Sequence, residues 1–339
     1  MKRILPLFLA LALLLTGCTA VSTTESTSQT VSQVDSSSQA SALESASESA
    51  SSQLESTSIT DSNGSQITLD TSAPRVVAAY GSFAEAWLLA GGELCGVTQD
   101  ALEQRDLGLP EDIAVVGTVK EPNAEEIIAL EPDLVLLASD ITAQADIRDV
   151  LENAGLACAF FQVDTFADYA FMMEQLCAVT GREDLYEENV TQVGQQIEEA
   201  QANAALSSTR PNVLLIRAFS TGIKAKTDDE LAGAILKDLG AHNIADDHPS
   251  MLEDLSLEEV IAADPDYIFV TTMGDEQKAL DYLNGLIQQN PAWSELSAVK
   301  EDRYIVLPKD LFHYKPNNRW GESYQYLGEI LYPELFHEE

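Results

Sequence analysis

The chain has 339 residues, 45% of them hydrophobic, with 56 Asp and Glu against 18 Lys and Arg, for a net charge of −38. So acidic a protein repels a phosphate backbone, which argues against nucleic acid as a partner. Four cysteines stand without metal-type spacing, so no zinc module is indicated.

The chain opens MKRILPLFLALALLLTGC: Lys2 and Arg3, an apolar run too short for a comfortable membrane span, then Leu15, Thr16, Gly17 and Cys18. This is the pattern of a bacterial lipoprotein signal over residues 1–17, with cleavage before Cys18 and lipid on that cysteine. An ordinary signal peptide with an incidental cysteine is the alternative. Residues 18–57 follow as a Ser/Thr-rich stretch that cannot bury a core and is expected to be a disordered tether. As a coil of about 40 residues it would span roughly 35 Å. Loss of Lys2 and Arg3 takes the net charge to −40, and the five acidic residues of the tether leave −35 on residues 58–339.

Residues 58–165 read as an N-terminal α/β lobe. RVVAAY (75–80) is a buried-strand run, and Gly81 and Ser82 open the apolar helix FAEAWLLAG. Strand candidates LCGVT and IAVVG follow, then a helix from about Thr142 to Asn153 and the strand CAFFQV from Cys158. Cys95, Cys158 and Cys177 are core residues or supply one optional disulfide. Residues 166–206 carry only helix formers, with Leu185, Val190, Val193 and Ile197 mostly three or four apart, and read as one long helix joining two lobes. A stiff connection of that kind does not favour large closure. Residues 207–339 form a C-terminal α/β lobe: strand NVLLIRAF, helix 229–239, helix 276–289, strand YIVLP and a terminal helix from Trp320 to about Leu331.

One segment occurs in both lobes. NAEEIIALEPDLVLLA (123–138) aligns without a gap on SLEEVIAADPDYIFVT (256–271), matching Glu125 to Glu258, Pro132 to Pro265 and Asp133 to Asp266. Each copy reads as a capping box, a short helix stopped by proline, and a strand buried on both faces of a parallel sheet. The expected fold is therefore α/β, with two lobes, each a mainly parallel sheet flanked by helices.

Ligands of parallel α/β sheets bind outside the carboxyl ends of the strands. The loops expected there carry Tyr80, Gly81, Ser82 and Lys120 in lobe one, and Arg217, Phe219, Phe312, His313, Tyr314, Lys315, Arg319 and Trp320 in lobe two. Cations gathered in so acidic a chain suggest a cationic cleft for an anionic ligand, with Arg217 and Arg319 forking onto negative oxygens; solvated loop charges are the bland alternative. The aromatics suit a flat or ring-bearing ligand, or seat the terminal helix. His242, His248, His313 and His337 do not cluster, and no hydrolase, phosphate-loop or dinucleotide motif occurs.

Taken together, the lipobox, the Ser-rich tether, GSFAEAWLLAGG, VVGTVKEPNAEEIIALEPDLVLLA, the long helix, LSLEEVIAADPDYIFV and NPAWSELSAVKEDRYIVLP resemble the helical-backbone substrate-binding proteins of ABC importers for ferric siderophores, haem and vitamin B12. The resemblance covers about residues 70–335. It implies a non-enzymatic, lipid-anchored, extracytoplasmic monomer with no permanent cofactor. Its ligand would be a ferric siderophore or similar iron complex, with haem or a corrinoid as alternatives. It would dock on a membrane permease and its ATPase through one glutamate per lobe, at Glu125 and Glu258. Arg217, Lys315 and Arg319 would hold the ligand's oxygens, and Tyr80, Phe312, Tyr314 and Trp320 would pack on it. A secreted hydrolase using Ser82 or His313 is the alternative from another class.

Overall fold

The structure, a computed structural model, describes residues 56–253 and 255–336. The signal at 1–17, Cys18, the tether as far as residue 55 and His337 lie outside the described residues.

The first lobe holds a five-stranded, wholly parallel sheet in the spatial order Ala114–Val115, Leu94–Val97, Val76–Ala78, Leu134–Ala138, Cys158–Phe161. Its three central and outer apolar strands are buried on both faces, which is why their sequences show no polar alternation. A hairpin of Thr57–Thr60 with Gln66–Leu69 precedes it, an element whose short polar strands gave no pattern to read. The second lobe centres on Asn212–Phe219 and Tyr267–Thr272, paired parallel, with Tyr304–Val306 beyond. Gly222–Lys226 turns back antiparallel on the first of these, closing a hairpin with it.

The repeat is physical as well as textual. Asn123 and Ser256 cap the two helices, Ala124–Ala129 and Leu257–Ala263. The reciprocal glutamate bonds of a full capping box are replaced: the Asn123 N–H donates to the Val116 carbonyl, and Glu259 instead accepts from Ser250. Each helix ends at a residue of positive φ immediately before its proline, Glu131 at 46° and Asp264 at 43°. Asp133 then accepts from the Arg75 N–H at 2.8 Å, and Asp266 from the Asn212 N–H at 2.8 Å. Each aspartate thus clamps the start of its own lobe's first central strand, a charge-assisted bond of about 1–3 kcal/mol where water is excluded and less here at the surface.

Two helical expectations change in detail. The helix from Thr142 to Asn153 breaks at Ile147 into Thr142–Asp146 and Arg148–Asn153. The expected single helix at 166–206 is two: Phe166–Thr180, stopped by Gly181 at φ 70°, and a continuous run over 183–204. That second run is the connection between the lobes, and its middle turn, Glu187–Thr191, is a π-helix. The cause is in the spacing: Leu185 and Val190 are five apart, and one i→i+5 turn puts both on the stripe that Val193 and Ile197 continue. Val190, Val193 and Ile197 are buried.

One hydrophobic core runs through Val76 and Leu134 of lobe one, this helix, and Val213, Phe269 and Leu327 of lobe two. Separate outer cores finish each lobe. Cys95, Cys158 and Cys177 carry free thiols, and burial raises the Cys158 pKa to about 12.

Candidate functional site

Facing strand ends of the two lobes enclose a cavity of about 520 Å³. Lobe one contributes Tyr80, Asp140, Ile141, Asp164 and Thr165; lobe two contributes Arg217, Asp228, Asp229, Glu230, Leu231, Ala234, Met273, Phe312, His313 and Lys315. The volume falls in the range of small-molecule sites. A roomier groove of about 760 Å³ runs between the connecting helix and the terminal helix, lined by Gln196, Glu199, Asn203 and Glu322 among others. No strand end opens onto it.

Local chemistry fixes the rim. Gln144 is fully buried; its amide donates to the carbonyls of Ala79 (2.7 Å) and Val119 (3.1 Å), and its oxygen accepts from the Ala138 N–H at 2.7 Å. Three strand-end segments are thereby tied at the back of Tyr80 and Asp140. Thr165 and Asp168 form a full capping box, holding the entry to helix Phe166–Thr180 beside the cavity. Tyr80 stands edge-on to Phe83, ring centroids 5.3 Å apart, and burial, helped by Asp100, pushes its hydroxyl pKa up, so it is a neutral donor.

The expected cationic cleft is not what the side chains form. Arg217 and Lys315 do line the cavity, but Arg217 is ion-paired with Glu230, and Lys315 with Asp164 at 3.1 Å. Burial pushes the Asp164 carboxyl up, but the Gln162 amide and Lys315 outweigh it and hold it below the usual range. Lys226 pairs with Asp229 and Glu230, and Lys237 with Asp228. Five carboxylates therefore line the cavity against two cations. The acids of Thr227–Glu230, immediately after the strand Gly222–Lys226, neutralise these cations.

The other expected residues divide. His313 lines the cavity, as does Phe312, which is otherwise buried and packs on Tyr326 with ring centroids 5.6 Å apart. Trp320 is 2% exposed, edge-on to Phe166 at 6.3 Å, and belongs to the core, as the alternative reading had it. Arg319 is taken by Asp310 and Glu322, which raise its pKa, and with Tyr314 it lines a separate hollow of about 280 Å³. Lys120 is exposed at a hairpin tip, and neither it nor Phe219 lines the cavity. Gly81 donates to Asp100 at 2.7 Å. Ser82 is buried and accepts from Arg105 at 2.8 Å, which removes it as an exposed nucleophile. Among the described residues no three His, Cys, Asp or Glu are grouped to hold a metal ion.

Ser82 belongs instead to a buried polar latch between the lobes. Arg105 pairs with Glu85 and donates to Ser82 Oγ and, across the cleft floor, to the Lys315 carbonyl at 2.9 Å. Asn317, fully buried with φ 52°, donates to the Ser82 carbonyl (2.9 Å) and to Glu85 (2.6 Å). None of Glu85, Arg105 and Asn317 could be singled out from sequence, since nothing local announces a partner 210 residues away.

Matched against protein families, residues 76–311 fit the profile described as periplasmic binding protein. The chain belongs to the periplasmic binding protein family. Among curated proteins it is 26% identical over 266 residues to the Fe(3+)-citrate-binding protein YfmC of Bacillus subtilis, covering 76% of this chain and 79% of that one. It is 22% identical to the high-affinity heme uptake system protein IsdE of Staphylococcus aureus, covering 66% and 76%. Among solved structures, FepB from Veillonella parvula superposes with a TM-score of 0.66 at 20% identity, covering 83% of this chain and 91% of that one. Staphylococcus aureus SirA complexed with staphyloferrin B gives 0.62 at 20% identity, covering 83% and 99%. These likenesses bear out the two-lobed α/β expectation. Among the described residues no helix is long and apolar enough to cross a membrane.

His313 carries a pH signature of this site. Burial, with Arg217, Lys309 and Lys315 nearby, lowers its pKa from 6.5 to about 4. Between those values the unfolded chain binds a proton that the folded chain refuses, so stability is full above about pH 6.5 and falls as pH drops towards 4. From pH 7 to pH 5 the wild type should lose about 1–2 kcal/mol more than His313→Gln. Urea unfolding of both proteins at the two pH values checks this, and equal losses would contradict it.

Proposed function

We propose that this chain is the substrate-binding protein of an ABC importer, held at the outer face of the cell membrane through lipid on Cys18. It captures a ferric siderophore or similar iron complex in the inter-lobe cavity and delivers it to the permease. The observation that carries this reading is the cavity itself, lined from both lobes at the carboxyl ends of their parallel strands, in a family whose curated relatives include ferric citrate and haem binders. The protein works by binding and release, with Tyr80, Arg217, Phe312, His313 and Lys315 as ligand contacts and Glu125 and Glu258 as permease contacts. Titrating the full-length chain, purified in detergent, with ferric siderophores, haemin and cobalamin tests it by tryptophan fluorescence. A micromolar or tighter response to an iron complex is expected; silence to every one of them rejects the reading.

Haem is a second reading, favoured by one observation. His313, uncharged at neutral pH, and Met273 both line the cavity, and imidazole nitrogen and thioether sulfur both ligate haem iron. A haemin absorbance shift lost in His313→Ala would support it.

A further inference from the structure

The charge arrangement of the cavity says what kind of iron complex suits it, an inference that rests on the function proposed above. An anionic chelate needs cations free to meet it. Here Arg217 and Lys315 are each already neutralised by a carboxylate, and His313 is uncharged at neutral pH. Asp140 lines the cavity, is exposed, and stands in no ion pair among the described residues, so the charge left over is negative. The body as a whole, at −35 over residues 58–339, pushes the same way.

The cavity nevertheless offers hydrogen bonds. Arg217 Nε is buried without a partner among the described residues, and an orphaned donor of that kind is unfavourable until an acceptor arrives. The Tyr80 hydroxyl is a second donor, and an uncharged one. Apolar surface from Leu231, Met273 and Phe312 completes a site that is oxygen-seeking, partly greasy and short of free positive charge.

Chelate chemistry separates the candidates by charge. Three hydroxamates lose one proton each on binding iron(III), so their complex is neutral, and a pendant ammonium makes it singly positive. Three catecholates lose two protons each and leave a triply negative complex, and ferric citrates are anionic as well. We infer that the inter-lobe cavity selects a neutral or singly positive ferric tris-hydroxamate over polyanionic catecholate and citrate chelates, with Asp140 facing the pendant cation. This sets the chain apart from the relative named for ferric citrate.

One scaffold tests it. A linear ferric tris-hydroxamate with a free terminal amine, the same molecule acetylated, and the same molecule succinylated differ only in charge: positive, neutral and negative. Titrated into the full-length chain beside ferric tris-catecholate, ferric citrate and haemin, the amine form is expected to bind tightest. The succinylated form should be weaker by about tenfold or more, the scale of one unscreened charge contact near a protein surface. Asp140→Asn should erase the advantage of the amine over the acetyl form while leaving the acetyl form's affinity in place. Tighter binding of tris-catecholate, citrate or haemin than of the acetyl form overturns the charge inference and leaves the importer reading standing. An amine preference that survives Asp140→Asn overturns the role of Asp140. If no iron complex of any charge binds, the proposed function itself fails, and this inference with it.

Discussion

Uptake of the iron complex is expected to vanish when Glu125 and Glu258 are both replaced by alanine, while the affinity of the full-length chain for its ligand stays unchanged. Both glutamates are exposed in the first turn of the repeat helices, at matching positions, and neither lines the cavity. A carboxylate seated in an arginine pocket of a permease forms charge-assisted hydrogen bonds, and truncating one partner of a desolvated pair costs about 2–5 kcal/mol. Losing both would weaken docking by roughly a thousandfold or more. Each single variant should lose part of the effect. Glu126→Ala and Glu259→Ala serve as neighbours on the same helices, Glu259 being already engaged by Ser250. Radiolabelled iron uptake in cells, set beside ligand titration of the purified variants, reads both quantities. Normal uptake by the double variant would remove the docking role.

The second large effect concerns the latch. Arg105→Ala leaves the Glu85 carboxylate without its cation, and strips the Ser82 hydroxyl and the Lys315 carbonyl of a donor. The Arg105 side chain is only 10% exposed, so its removal behaves as the breaking of a buried pair, at roughly 3–5 kcal/mol. That is a large share of the ~5–15 kcal/mol that holds a typical protein folded. Exchanging both partners for apolar residues, Glu85→Leu with Arg105→Met, should recover much of the loss, because no unpaired charge remains. Urea unfolding of the two variants decides it. A cost below about 1 kcal/mol for Arg105→Ala would mean that water already reaches the pair.

What could be read from the sequence follows from how local the cause is. Helix Glu276–Gln289 and helix Trp320–Leu331 lie where expected, because the residues that begin and end them are their neighbours. The repeat announced both central strands of the lobes for the same reason. The π turn is also written in the sequence, as a five-residue gap between Leu185 and Val190 that regular helical spacing does not accommodate. Charge compensation was not legible. Lys315 finds Asp164 across 151 residues, and Arg217 finds Glu230 by a hairpin that only the folded sheet reveals. Nor could composition say that Trp320 faces inwards while His313, seven residues earlier, reaches the cavity.

For the importer role proposed above, the connecting helix and the latch bear on how the carrier would meet its permease. A body whose core passes unbroken from lobe to lobe is expected to keep nearly the same outline empty and loaded, so in the proposed importer role a permease would not sort the two by shape. Such a permease would have to sense the cargo's own surface in the mouth of the cavity, or accept both forms and let occupancy decide the flux. Empty carriers would then compete with full ones for each permease. Transport would fall when the carrier is made in excess of its ligand.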